Sequence, residues 1–335
     1  MLLGFCLVSV ALVSCEKTSS VGIKIVEDQV GQARSAYRHD VRMHYNNRRF
    51  DDLEREAKAA RDSKEEFTEG TWKLTDFYES QDCRDEEPEN MWQLHDTIHQ
   101  EWIKAKPDSI TARVSYARFL TSYAWHARGS GYANTVTQDG WKKFEDRLAK
   151  AHDILMASRD LPEKDPMWWQ AAMKIALGQG WEKQDYDTLT AEAIAFEPGY
   201  MPFYTSRAYS LLPRWYGEPG DSVAFAKACA AKDPVNGPII YARVCISLRS
   251  RGEDLYQEAE ASWRDFNAGL EALVKRYPDS LEILSYAALV SCEADDAKSA
   301  DGYFKKLGGR CMLSIWDDEA KFAAAREWAA HEARR

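Results

Sequence analysis

The chain has no excess of positive charge. Its 54 acidic residues face 44 basic ones, for a formal net charge of −10. A broad nucleic-acid footprint needs a basic face that displaces condensed counterions, so no nucleic-acid partner is expected. No CxxC pair occurs, which removes zinc ribbons and thioredoxin-type redox sites from consideration. The lone Gly129-Ser130-Gly131 lacks the spacing and the GKS or GKT ending of a phosphate loop. Sustained alternation of apolar and polar residues is also missing, and VGIKIV, at 21–26, is the one candidate strand. No Lys or Arg precedes the first apolar run, leaving the amino terminus alone to supply a positive flank.

What is present is a globular-type composition with an unusual opening. Hydrophobic residues make up 45% and charged residues 29% of the 335 positions, so a folded core rather than wholesale disorder is expected. The apolar run at 2–13 is too short to cross a hydrocarbon core of about 30 Å, but has the length of a signal-peptide core. It ends in Leu12-Val13-Ser14-Cys15, which resembles the bacterial lipobox. The resemblance implies a signal peptide over 1–14, a lipidated Cys15, a tether over 15–26, and a folded domain over 27–335. Acyl chains contribute about 0.8 kcal/mol per buried CH₂, enough for several on one residue to hold a domain at a membrane. The expected location is the cell envelope, facing the periplasm. Glu16, in place of the Asp that often marks inner-membrane retention, leaves the outer membrane open. Removal of the leader discards Cys6 and consumes Cys15. Cys83, Cys229, Cys245, Cys292 and Cys311 remain, with pairings Cys229 to Cys245 and Cys292 to Cys311 allowed by spacing.

From about residue 27 the periodicity is helical. Trp141, Phe144, Leu148, Ala151 and Leu155 alternate spacings of three and four. So do Ile110, Val114, Ala117, Leu120 and Ala124, and the series Leu255, Ala259, Trp263, Phe266, Leu270, Leu273 and Tyr277. KPDS at 106–109, DP at 165–166, EPG at 197–199, DP at 233–234 and YPDS at 277–280 each precede a new periodic segment. Pro ends one helix there, and Asp or Ser can cap the next. The later marks are 32, 36 and 44 residues apart, near the roughly 34-residue period of tetratricopeptide hairpins. The expectation is an all-α fold of irregular tetratricopeptide-like helical hairpins, an α-solenoid with a concave face.

Three constellations can carry chemistry. His95 and His99 share a helix face in LHDTIH, with Asp96 where a zinc hydrolase places its glutamate; no third ligand follows at a diagnostic spacing. WHARGSGYANTV, at 125–136, breaks a long helix after Arg128 near Tyr132. SLLPRWYGEPGD, at 210–221, reads as a connection in which Pro213 ends a helix, Gly217 turns, Pro219 opens the next helix and Asp221 favours its positive end. A minimal turn does not need Arg214, Trp215 and Tyr216 together. Arg214 can clamp Glu218 or Asp221, or receive an acidic ligand. Glu218 and Asp221 can alternatively be paired carboxylates of a glycan hydrolase.

TWKLTDFYES, YAWHARGSGYANTV, GWKKFEDRLAKA, LGQGWEKQDYDTL and LLPRWYGEPGD together resemble a bacterial family defined only as a domain of unknown function, in the same order over about residues 40–310. The resemblance implies tetratricopeptide-like helices in secreted or membrane-associated proteins, and it carries over no catalytic residue. The leading expectation is a non-catalytic, lipid-anchored module that binds a protein or an envelope polymer on its concave face. The candidate contacts are Arg128, Tyr132, Trp141, Trp181, Arg214, Trp215, Tyr216, Glu218 and Asp221. No cofactor is implied.

Overall fold

The computed structural model describes residues 22–129, 131, 133–257 and 259–335, so Cys15, the leader and Tyr132 lie outside it. Among the described residues the chain forms sixteen α-helices and two three-residue strands, an all-α helical-repeat fold. An N-terminal layer comprises α1 (Gln29–Asn46), α2 (Phe50–Ser63) and α3 (Lys73–Glu79), followed by α4 (Glu89–Ala105). Helical hairpins then follow: α5 (Ile110–Arg128) with α6 (Gln138–Met156), α7 (Pro166–Gln179) with α8 (Lys183–Phe196), and α9 (Pro202–Ser210) with α10 (Asp221–Lys232). Two more are α11 (Gly237–Ser250) with α12 (Trp263–Arg276) and α13 (Leu281–Glu293) with α14 (Ala297–Leu307). The short α15 (Leu313–Trp316) and α16 (Glu319–Glu332) cover the last hairpin.

The Pro-marked turns open the first helix of each hairpin. Ser109 and Ser280 accept backbone N–H bonds from Ala112 and Ile283 at the starts of α5 and α13. Asp165 accepts from Met167 with Pro166 at the first turn of α7. These caps satisfy amides that have no partner inside the helix. The α5 and α6 stripes read from the sequence are buried as expected, with only Trp141 left half-buried. One helix starts later than its rhythm predicts. Leu255 and Ala259 are buried, yet α12 begins at Trp263, because Ser262 caps it and Asp254 closes a local turn onto Tyr256 and Gln257. Residues 24–26, read as the end of a tether, form β1 (Lys24–Val26) in parallel register with β2 (Arg310–Met312).

The first helices of successive hairpins, α5, α7, α9 and α11, lie side by side, as a solenoid requires. Their shared face is not free. Residues 61–82 of the N-terminal layer run across it, and the contacts are specific. Arg61 reaches Asp165 at 2.8 Å, the Tyr78 hydroxyl reaches the same carboxylate at 2.5 Å, and Thr75 bonds Tyr200 at 3.0 Å. Arg118 of α5 meets Asp82, Arg243 of α11 donates to the Glu69 carbonyl, and Tyr277 donates to Glu66 at 3.0 Å. The shared face thus carries contacts from the chain itself, at Arg118 of α5 and Arg243 of α11.

Fully buried Asp76 fastens α3 to α1, accepting a two-pronged bond from Arg34 and a further one from Arg38. Burial pushes its pKa up, but the two guanidiniums outweigh burial and hold it below the usual 3.8. A depressed carboxyl contributes stability above its unfolded value and loses it as pH falls through the folded value. We therefore expect the denaturant midpoint of the wild type to drop below about pH 4, with the Asp76→Asn variant showing a weaker drop over the same range.

Candidate functional site

The two segments singled out in the sequence meet in space. Trp125, in the last turn of α5, packs edge-on against Trp215 with ring centroids 5.6 Å apart. On one side the Arg128 guanidinium lies between two indoles, 5.4 Å from the Trp125 ring and 5.4 Å from the Trp141 ring. Its Nη1 also donates to the Gly129 and Gly131 carbonyls, each at 3.1 Å, which fixes the head over the end of α5. Gly129, at φ +74°, supplies the left-handed turn that exposes those carbonyls. On the other side Trp215 packs against Tyr209 at 5.8 Å, and Tyr209 carries Arg251 at 4.3 Å and Arg214 at 5.4 Å over its ring. The result is a continuous ladder: Trp141, Arg128, Trp125, Trp215, Tyr209, Arg251. The sequence reading missed Trp125, Tyr209 and Arg251, although Trp125 opens one quoted segment and Tyr209 directly precedes the other.

Its position follows from helix ends. Arg128 and Tyr209 lie in the last turns of α5 and α9, and Arg251 caps α11. The hydroxyl of Tyr216 donates to the Leu177 carbonyl near the end of α7 at 2.8 Å. The ladder therefore runs along the rim formed by the C-terminal ends of the first helices, where helix dipoles favour cations. The N-terminal layer engages the opposite ends, at Asp165, Tyr200 and Tyr277. Trp215 and Tyr209 also pack against both of the large core clusters, so the rim stands at the seam between them.

Within 210–221 the turn is built as a turn, with different partners from those expected. Arg214 pairs with Glu253 at 2.5 Å and clamps neither Glu218 nor Asp221. The loop from α11 to α12 brings Glu253 closer than the two acids on its own turn. Asp221 is instead taken up by the backbone, accepting the Glu218 N–H at 3.0 Å at the start of α10. A side chain at Gly217 would overlap the Leu211 carbonyl, which explains glycine there. The predicted substitution effect for Gly217→Ala is a loss of about 1–3 kcal/mol from forced backbone displacement, read from urea unfolding curves. Arg214, Glu218, Ser222, Glu253 and Gln257 line a cavity of about 480 Å³ under this turn, and Asp221 stands outside that lining.

The other expected residues are elsewhere. Trp181 lies with Trp168, Arg159 and Met156 beside a recess of about 360 Å³ and does not join the ladder. His99 is fully buried among Tyr45, Tyr116 and Phe119, with neither ring nitrogen partnered, and burial pushes its pKa well down. His95 shares the Tyr45 and Phe119 rings with it but has partners of its own: Nδ1 lies 3.4 Å from the Tyr45 hydroxyl and Nε2 lies 3.3 Å from Arg42. Burial, assisted by Arg42, lowers the His95 pKa to about 4, so the ring is neutral at ordinary pH. All five described cysteines are free thiols, so neither pairing allowed by spacing is formed. Among the described residues no helix is long and apolar enough to cross a membrane.

No family model, curated protein or solved structure matches the chain.

Proposed function

We propose that the protein is a non-catalytic, lipid-anchored helical-repeat module of the cell envelope whose recognition surface is the C-terminal rim. The partner is a protein or envelope polymer that presents carboxylates or phosphates. The observation that carries this reading is the state of Arg128 and Arg251. In a chain of net charge −10, both hold their heads over half-buried rings, and among the described residues neither forms an ion pair with a carboxylate. A guanidinium stacked on an aromatic ring keeps its donors in a fixed plane, suited to two-pronged capture of a carboxylate or phosphate. Arginine and tryptophan in such clusters are the side chains that most often dominate interface affinity.

Residues 61–82 contact the shared helix face at Arg118 and Arg243, which favours the rim over the concavity for this role. The resemblance to secreted and membrane-associated helical proteins and the Leu-Val-Ser-Cys ending support the address. For the anchor, a Cys15→Ala variant is expected to lose fatty-acyl labelling and to leave the membrane fraction. Unchanged membrane association of that variant would remove the anchor from the proposal. The rim itself is tested by crosslinking from Tyr216 and by the Arg128, Arg251 variant treated below.

A further inference from the structure

The acid-rich loop between α3 and α4 brings together three metal-binding side chains that the rim does not use. Cys83 and Glu87 come from the loop, and His95 comes from the second turn of α4. Their donor atoms all lie within 4.8 Å of one another. The Cys83 thiol donates to Glu87 Oε2 at 3.4 Å. His95 is buried, while Cys83 and Glu87 are half-buried, so the cluster has a closed inner side and an approachable outer side. This is a different use of His95 from the one its spacing to His99 offered, since His99 is enclosed by rings and outside the cluster.

We propose that Cys83, Glu87 and His95 form a three-ligand site for a divalent transition metal, with Zn²⁺ the fitting ion. One thiolate, one imidazole and one carboxylate suit a tetrahedral zinc ion and are a poor set for Mg²⁺ or Ca²⁺, which take oxygen ligands. Zinc at about 2.0–2.3 Å from each donor sets donor separations of roughly 3.5 Å. Cys83 and Glu87 already stand at that spacing, and the 82–88 loop needs only a small movement to bring them onto His95. The Tyr45 hydroxyl stands 3.4 Å from Nδ1 and can hold the ring there, the outer-shell role seen at metal-bound histidines, which leaves Nε2 as the nitrogen to take the ion.

Arg42 is the competitor. Its Nη1 occupies the Nε2 direction at 3.3 Å while its Nη2 donates to the Asp82 carbonyl, so the ion must displace one guanidinium contact. Binding also releases the Cys83 proton to solvent, forming a zinc–sulfur bond and consuming no redox equivalent. Three protein ligands leave a fourth position. Cys83 and Arg42 belong to the wall of a cavity of about 670 Å³ that also holds Arg38 and Arg84, from which water or an anionic solute can complete the tetrahedron.

The test is Co²⁺ and Zn²⁺ titration of the untagged, reduced full chain. Cobalt is expected to give a thiolate-to-metal charge-transfer band and tetrahedral visible absorption, both bleached by one equivalent of zinc. In Cys83→Ser the charge-transfer band disappears, and in Cys83→Ser and Glu87→Gln zinc affinity falls at least about tenfold. Both side chains are half-buried, so circular dichroism is expected to show folded variants. Absence of a cobalt–thiolate band in the wild type, or its survival in Cys83→Ser, overturns the site.

Discussion

Replacing Asp165 by Ala is expected to destabilise the protein by about 3–5 kcal/mol, one of the largest losses any single side chain here can cause. The carboxylate is fully buried and has three uses. Its Oδ2 accepts from Arg61 at 2.8 Å and from the Tyr78 hydroxyl at 2.5 Å, and its Oδ1 accepts the Met167 N–H at 2.8 Å. Removing it strands a guanidinium whose side chain is only 6% exposed, because Glu163 and Thr111 satisfy just part of it. The α7 cap is lost in the same step, adding about 1 kcal/mol. Asp165→Asn keeps the cap acceptor and a neutral partner, so its loss is expected to be smaller. Chemical denaturation of the three proteins checks the order wild type, Asn, Ala. Equal midpoints for wild type and Ala would mean that residues 61–82 do not depend on this junction.

Arg128→Ala combined with Arg251→Ala is expected to weaken partner binding by at least about 2 kcal/mol, roughly thirtyfold, while leaving the fold intact. Neither arginine makes an ion pair among the described residues, so their removal leaves no buried charge behind. Trp215→Ala is a poorer probe of binding. Trp215 packs against both core clusters as well as Trp125 and Tyr209, so its loss disturbs the seam itself. Residual binding in the double variant is expected to be less sensitive to added salt than wild-type binding, since the lost contacts are charge contacts at a wet surface. A double variant that binds as the wild type does, with the same salt slope, would remove both arginines from the surface.

Much of the architecture was legible because helices write their burial into the chain at a fixed spacing. The spacing of Ile110, Val114, Ala117, Leu120 and Ala124 assigns them to one face, and the Ser and Asp caps mark helix starts at α5, α7 and α13. The covering of the shared face was not legible. It depends on contacts between residues as distant as Arg243 and the Glu69 carbonyl, and contacts so far apart in the chain leave no periodic trace. The site was half legible for the same reason. Bulky residues at 125–128 and 214–216 stood out against the needs of a turn, but only folding shows that Trp125 meets Trp215, or that Arg214 finds Glu253 rather than the acids beside it. His95 and His99 show the limit of spacing. Four residues apart on α4, they serve different surroundings, because the 82–88 loop folds back over only one of them.

The rim is tested most directly by placing a photo-crosslinking residue at Tyr216 or at Val235 in separate full-length proteins and irradiating intact cells. Both positions are exposed, 49% and 80%, but Tyr216 borders the ladder while Val235 precedes the opposite end of α11. A recognition surface at the rim predicts a discrete crosslinked envelope species from Tyr216, absent from Val235 and lost when Arg128 and Arg251 are both alanine. The same species arising from Val235, or surviving unchanged in the double variant, would contradict it.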